Sequence, residues 1–465
     1  MACVSFVLMQ RQSRNAAASE NLASKRGAWR VRQVCALLAL VPAGWSQELT
    51  LEEAVQTAIQ NNRQVRIARL EFSKSEAAVR AAQTYRLPSF SVRFFEQQPL
   101  SHINFNIPPG TLGSFAATGP IPPGSATIRN PMQPMSIALA GVDQPLTQLR
   151  RIDLGIQLQN LKREEAASKL REQEQVVSSE VKKAYYALLQ TQSALDATAD
   201  TLKLFNEVQR VAEQGSVEKV VLQGELLEVK TRVAQTQLEQ MSLRNSIETQ
   251  KGALNILLGR PITTDFRVAS AEQTATLEID PAAARARALA QRPELEQARL
   301  RILQAERDAK LKRAEAIPDI SLSVNYLGLG NIKFLPSNTL LAGVSVKWDV
   351  FDWGRKGYEL AAKKDAIQQA KEAFAETEAR IQLEVDSNRR KLEENQARLK
   401  VSDLRRQTAA EMLRVSKDKW EEKTIQMKDV LQFQTSLTQA NYEYQKDLLA
   451  FWTTKAEFDK ALGEK

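Results

Sequence analysis

A single histidine, His102, and two cysteines, Cys3 and Cys35, make up the whole imidazole and thiol supply of this 465-residue chain. A metal cluster or a Cys/His active site needs several such ligands, so the residue supply excludes both. His102 lies in a Pro- and Gly-rich stretch, where a lone histidine is most simply a solvated side chain. No Gly-rich phosphate loop, nucleophile elbow or paired metal ligands occur, and Asp and Glu scattered over helical stretches are solvated faces. Neither catalysis nor a cofactor is therefore expected. The residues whose spacing does suggest a task are polar ones at alternate positions: Ser91 and Arg93, then Ser321, Ser323 and Asn325, then Ser345, Lys347 and Asp349. A spacing of two puts each set on one face of a strand. Such a face can line water, and the chemistry it offers is passage.

The partners of these polar residues are apolar. Phe90, Val92 and Phe94 alternate with Ser89, Ser91 and Arg93, while Ile320, Leu322, Val324 and Tyr326 alternate with Asp319, Ser321, Ser323 and Asn325. Ala342, Val344, Val346, Trp348 and Val350 do the same with Gly343, Ser345, Lys347 and Asp349, and Ile137–Val142 is the weakest case, apolar on both faces. Strands are expected at about 87–95, 135–145, 318–327 and 340–351. A soluble half-buried sheet gives the same alternation, but each segment has roughly the 9–11 residues of a tilted membrane strand. Charges on the polar side suit a watery lumen. Four strands cannot close a barrel, which needs about eight, so the protomer must share one with copies of itself. Three copies would supply twelve strands. The connection from Glu96 to Gln133 is rich in proline and glycine and reads as an exposed loop on the cell exterior.

These strands must be held by the rest of the chain, which is helical and duplicated. Residues 51–92 overlay 281–322 at a constant offset of 230, with Ala58 on Ala288, Arg69 on Arg299, Pro88 on Pro318 and Ser91 on Ser321. A second block overlays at an offset of about 205, with Arg150 on Arg355. Each unit reads helix, strand, strand, long helix, long helix. Heptads run through the long stretches: Val181, Leu188, Leu195 and Leu202; then Leu226, Val233, Ile247 and Leu254 with Gln240 in the gap. In the second unit Leu360, Ile367, Phe374 and Ile381 pass to Val385, Leu392 and Leu399 after a four-residue step, and Val430, Leu437, Tyr444, Phe451 and Phe458 follow. Such heptads mark coiled-coil packing with a stutter.

The N-terminus reads as an export signal. Arg26, Arg30 and Arg32 precede an apolar stretch from Val34 to Ala43, and Gly44-Trp45-Ser46 offers small residues around a cleavage site. Cys35 stands at the start of the apolar stretch, so no lipid anchor is expected; the stretch before the arginines is long for such a signal and leaves a start codon further downstream open. Beyond residue 46 the chain carries 58 Lys/Arg against 54 Asp/Glu, a net charge of +4. That balance removes the case for nucleic-acid binding. The expected division is a signal peptide at 1–46, a first repeat at 47–260, a linker at 261–280 and a second repeat at 281–465.

Several short motifs, in order and spacing, resemble the TolC or outer-membrane efflux protein family over essentially the whole mature chain. Leu49-Thr50-Leu51-Glu52-Glu53-Ala54 with Asn61-Asn62 is similar to that family's first helix, and Leu254-Asn255-Ile256-Leu257-Leu258-Gly259-Arg260-Pro261 to its helix-ending turn. Arg292-Pro293-Glu294-Leu295 resembles the start of its second repeat, and Val350-Phe351-Asp352-Trp353-Gly354-Arg355 its strand-to-helix junction. The resemblance implies a mostly α protein with a small β part. It implies a homotrimer sharing a twelve-stranded barrel in the outer membrane, above a twelve-helix tube reaching into the periplasm. It also implies docking to a periplasmic adaptor (membrane fusion) protein and an inner-membrane pump of the RND, ABC or MFS type, with outer-membrane lipid around the barrel. The family's entrance is closed by an iris of inner helices. Asp429 matches its Asp-Val-Leu run, while Trp420 stands at the gate tyrosine position, Lys423 at the tip glycine and Ile425 at the gate arginine. Gly215 falls at the other tip, a candidate adaptor contact. The rival reading is a periplasmic coiled-coil adaptor or structural scaffold; it accounts for the helices but leaves the strands and tandem hairpins unexplained.

Overall fold

The computed structural model describes residues 48–130, 132–217, 222–269, 280–332, 335–422 and 424–464; the expected signal segment lies outside them. The first half runs β1 (Glu48–Leu49), α1 (Leu51–Asn61), α2 (Arg63–Thr84), β2 (Ser89–Gln97), β3 (Ile103–Ile107), β4 (Ser114–Phe115), β5 (Gly119–Pro120), β6 (Ala126–Asn130), β7 (Met135–Pro145), α3 (Leu149–Val217) and α4 (Gln223–Leu257). After β8 (Arg267–Val268) come α5 (Pro281–Gln291), α6 (Pro293–Ala314), β9 (Asp319–Gly330), β10 (Asn338–Lys347), α7 (Arg355–Glu421) and α8 (Met427–Leu462). Among the described residues, Glu48–Leu49 with Asp265–Arg267 fall in one compact unit, and Thr50–Thr264 with the residues from Val268 onward in another. Strands β1 and β8 form a two-stranded sheet of their own; all other described strands and helices belong to the second unit.

Each half opens with an 11-residue helix followed by one of 22, and local chemistry sets every break. A capping box starts α1: Glu53 N donates to Thr50 Oγ1 and Thr50 N to Glu53 Oε2, both at 3.2 Å. Asn62 ends it and restarts the chain, its Oδ1 accepting from Gln64 N at 2.8 Å. In the second half Asp280 caps α5, and Pro293, which lacks an N–H, stops it and opens α6. The last helices, α4 and α8, end on glycines in the left-handed region, Gly259 at φ +69° and Gly463 at φ +88°. A Cβ on Gly259 would lie 2.4 Å from the Asn61 carbonyl oxygen, and one on Gly463 would lie 3.0 Å from Gln291. The same joint is thus built twice with different side chains. Asn62 Nδ2 donates to Leu257 O at 2.8 Å, whereas Arg292 Nη1 donates to Ala461 O at 3.4 Å. Buried Arg292 also pairs with Glu294 at 2.7 Å and Glu384 at 3.0 Å. Burial works against its charge, but the two carboxylates outweigh it and hold the guanidinium above its usual pKa.

The two long helices are α3, with 69 residues, and α7, with 67; at 1.5 Å per residue each is about 100 Å long. Many of the heptad residues on α3, α4, α7 and α8 are withdrawn from water: Val181, Leu188, Val233, Ile247 and Leu254 in the first half, Ile381, Val385, Leu392, Phe451 and Phe458 in the second. The four-residue step from Ile381 to Val385 lies in one continuous cluster, where α5, α6, α7 and α8 meet. Helix α3 packs along α1, α2, α4, α6 and α8, and α7 along α5, α6 and α8. A second cluster, Phe205, Ala212, Val229, Val233 and Leu431, joins α3, α4 and α8 near the hairpin ends.

The four long strands form one antiparallel sheet in the order β10-β9-β7-β2, the halves meeting through β7 and β9. Three details depart from the sequence expectation. Strand β10 stops at Lys347 rather than 351, because Lys347 pairs with Asp319, the first residue of β9, and beyond it there is no ladder to join. Strand β2 continues to Gln97, which still pairs with Met135. The connection expected as plain loop is paired, β3 with β6 and β4 with β5. There Ile103, Phe105 and Ile107 do alternate with Asn104 and Asn106, a short signal masked by the surrounding prolines.

Candidate pore lining and entrance

The register settles which side chains share a face. One set of rows reads Phe90–Val142–Val324–Ala342 and Val92–Ala140–Tyr326–Leu340, and a further pair is Leu322–Val344. The opposite set reads Ser91–Gly141–Asn325–Leu341, Arg93–Leu139–Leu327–Thr339 and Asp143–Ser323–Gly343, with Ser321–Ser345 and Asp319–Lys347 following. Ser91, Arg93, Ser321, Ser323, Asn325, Ser345 and Lys347 therefore fall on a single polar face. The Ser321 and Ser345 hydroxyls hydrogen-bond across it at 2.7 Å. Gly141 supplies room for this face, since a Cβ there would stand 2.8 Å from Asn325 Oδ1. Asp349 is not part of it: it lies past the end of β10, and its backbone carbonyl accepts from Lys356 Nζ at 3.2 Å.

The apolar face is open to its surroundings. Phe90 is 78% exposed, Val92 79% and Val344 63%. A continuous face of large apolar side chains left in water is unfavourable by roughly 25 cal/mol per Å², so it demands a non-aqueous neighbour. Among the described residues no helix is long and apolar enough to cross a membrane.

Polar-face residues that escaped the sequence reading are Gly141 and Asp143, because the segment around Ile137–Val142 alternates too weakly to reveal its facing, and Thr339, which precedes the expected strand. At the helix end of the sheet the charges are paired. Arg151 donates to Asp319 Oδ2 at 3.0 Å, and Arg86 pairs with Asp153. Just below, Lys312 bridges Glu315 on its own helix end and Glu359 on α7, and the hydrogen bonds it donates to these two carboxylates hold its ammonium above the usual pKa.

At the opposite end of the helices lie the entrance candidates. Asp429 is the third residue of α8, and its Oδ2 accepts from Gln426 N at 3.1 Å, a capping-box contact at its own helix start. Trp420 is half-buried in the last turn of α7, and Ile425 is half-buried in the turn that follows. Lys423 lies outside the described residues. Gly215 is inside α3, two residues from its end, rather than in a turn. Nearby, Glu213 accepts from Lys230 across α3 and α4 at 3.1 Å. Its carboxyl is held below the usual value, first by Gln209 and then by Lys230.

Among the described residues no group of His, Cys, Asp and Glu could hold a metal ion. The site is a two-faced sheet at one end of very long helices, with small hairpin ends at the other. No curated protein matches the chain. Solved structures with the same fold include the Campylobacter jejuni CmeC outer membrane channel, 13% identical, covering 89% of this chain and 85% of its own with a TM-score of 0.72. The Vibrio cholerae outer membrane protein VceC is 16% identical, with 89% and 96% covered and a TM-score of 0.68. The open state of the Neisseria gonorrhoeae MtrE outer membrane channel is 16% identical, with 89% of each chain covered and a TM-score of 0.69. Residues 54–260 and 284–464 match the profile of a family described as outer membrane efflux protein. The chain belongs to the outer membrane efflux protein family.

Proposed function

We propose that three copies of this chain close one twelve-stranded barrel in the outer membrane, and that their helices form a duct through which substrates leave the periplasm passively. The sheet is the observation that carries this reading. The outer edges of its two edge strands, β2 and β10, are unpaired among the described residues, one face is apolar and exposed, and the other carries the Ser, Asn, Asp, Arg and Lys side chains among a few leucines. Edge-to-edge addition of further copies satisfies the open ladders, puts the apolar face in lipid and encloses the polar face around water. Helices of about 100 Å then cross the periplasm. The repeats at 47–260 and 281–465 each give two strands and one hairpin to this arrangement.

A periplasmic adaptor and an inner-membrane pump are the partners proposed from the family, with contacts at the hairpin ends around Gly215, Trp420, Lys423 and Asp429. Asp429 is already engaged in capping α8, and Ile425 replaces a gate arginine, so we infer that closure here relies on Trp420 and Ile425 packing rather than on an ionic lock.

Membrane fractionation followed by mass determination in mild detergent tests the reading. An outer-membrane species of three chain masses, forming ion-conducting pores in planar bilayers, is expected. A soluble monomer would refute the shared barrel and leave a coiled-coil scaffold.

A further inference from the structure

The polar face of the sheet is not polar along its whole length. From the helix side its rows carry Asp319 and Lys347, then Ser321 and Ser345, Asp143 and Ser323, and Ser91 and Asn325. Beyond them the side chains change character. The row Arg93–Leu139–Leu327–Thr339 holds two leucines, and the next, Phe95–Ile137–Leu329, is wholly apolar. The opposite face loses its large aliphatic side chains over the same stretch and ends in the row Glu96–Ser136–Gly330. These last apolar rows are therefore not part of the lipid-facing set. They lie on the face that the proposed barrel turns toward its lumen.

Arg93 stands at the boundary between the two regions. It is exposed, and among the described residues no carboxylate pairs with it. The acidic side chain on its own face, Asp143, opposes Ser89, four residues back along β2, or about 14 Å at the usual rise of a strand. In the proposed ring β10 of the next copy lies beside β2, and β10 has no Asp or Glu between Asn338 and Lys347. Closing the ring thus leaves the guanidinium without a counter-charge. With strands about 4.8 Å apart and alternate residues about 7 Å apart, Arg93 and its five apolar neighbours span a shelf of roughly 7 by 10 Å, room for a two-ring aromatic body. A guanidinium takes a carboxylate or sulfonate through two parallel hydrogen bonds, and an apolar body beside it would remove leucine and phenyl surface from water. We propose that this shelf is a binding subsite on the duct wall, one per chain, for organic anions with an apolar body. Arg93 holds the acidic group, and Phe95, Ile137, Leu139, Leu327 and Leu329 hold the hydrocarbon. The subsite rests on the membrane-barrel reading and adds to it a class of substrate and the place where that class is held.

The test is equilibrium dialysis of the full-length protein in mild detergent against naphthalenesulfonate, with the mass of each sample measured alongside. Comparison with Arg93→Gln cancels uptake by the micelle. The wild-type trimer is expected to bind one probe per chain, and Arg93→Gln to bind it about tenfold more weakly, through loss of the charge-assisted hydrogen bonds. Leu327→Ser is expected to weaken binding as well, with the trimer mass unchanged, and Arg93→Lys to keep part of the affinity. Inorganic sulfate at the same concentration should leave the probe in place. A wild-type trimer that takes up no more probe than Arg93→Gln, as when the chain's own β3–β6 hairpin covers the shelf, would overturn the subsite alone. Displacement of the probe by equimolar sulfate would reduce the shelf to a bare charge and overturn it as well. A wild-type protein that runs as a monomer would overturn the barrel reading and the subsite together.

Discussion

At Asp459 the fold holds a carboxylate against its preference. Burial raises its pKa, and the nearby Lys182, 3.9 Å away, and Lys455 only partly offset this. A carboxyl whose folded pKa is raised binds its proton more tightly in the folded state. Its favourable contribution is therefore present below the ordinary value of 3.8 and is lost as pH rises through the raised one. Asp459→Asn is expected to stabilise the protein at pH 7 by on the order of 1 kcal/mol, with the gain vanishing on acidification below that ordinary value. Thermal unfolding across that range measures it, and a gain independent of pH would contradict the account. Residue-level chemistry was the least legible part of the sequence. Nothing in the string announces that Asp429 caps its own helix or that the backbone at Trp353 turns left-handed, at φ +56°. Both depend on where the neighbouring backbone turns.

Elements were more legible, because periodicity is a property of the string itself. The heptads from Val181 and Ile381 fall on the buried stripes, and the Ser/Phe alternation of β2 falls on two faces. What periodicity could not give was strand ends, which are set by the partner: β10 stops where β9 begins. The two-faced sheet yields a paired prediction. Val344→Asp should block membrane assembly, since a charge on a lipid face costs up to a few kcal/mol, while Ser345→Asp on the polar face should assemble normally, both read by heat-resistant trimer on gels. The helix-ending glycines give another. Gly259→Ala and Gly463→Ala both force alanine into the left-handed region, but only the first drives a Cβ to 2.4 Å from a backbone carbonyl. Both should lower stability, by about 1 kcal/mol at Gly463 and clearly more at Gly259, as denaturant midpoints would show.

For the whole molecule, the informative surfaces are those one chain leaves unfinished. Helix α7 exposes Val401, Leu404 and Met412 beside α8, and α4 exposes Leu227, Leu238 and Met241, each a stripe at helical spacing. In the proposed ring, such stripes on one copy face those on the next. Leu404→Glu and Leu238→Glu are each expected to shift the detergent-solubilised protein from trimer toward monomer without loss of helical circular dichroism. An unchanged mass would show that these stripes are not the seam.

The sheet order has a consequence in time. The central pairing joins Ser136 to Gly330 and Pro145 to Ser321, so the inner two strands are contributed by opposite halves of the polypeptide. The helices α3 and α4 can pair as soon as they emerge, but the sheet must await β9 and β10, which end only at Lys347 of 465 residues. Long-range pairing of this kind is intrinsically slow. During that delay β2 and β7 stay a lone apolar ribbon with an unsatisfied edge, so a chain that follows the proposed route to the outer membrane needs escort until β9 arrives.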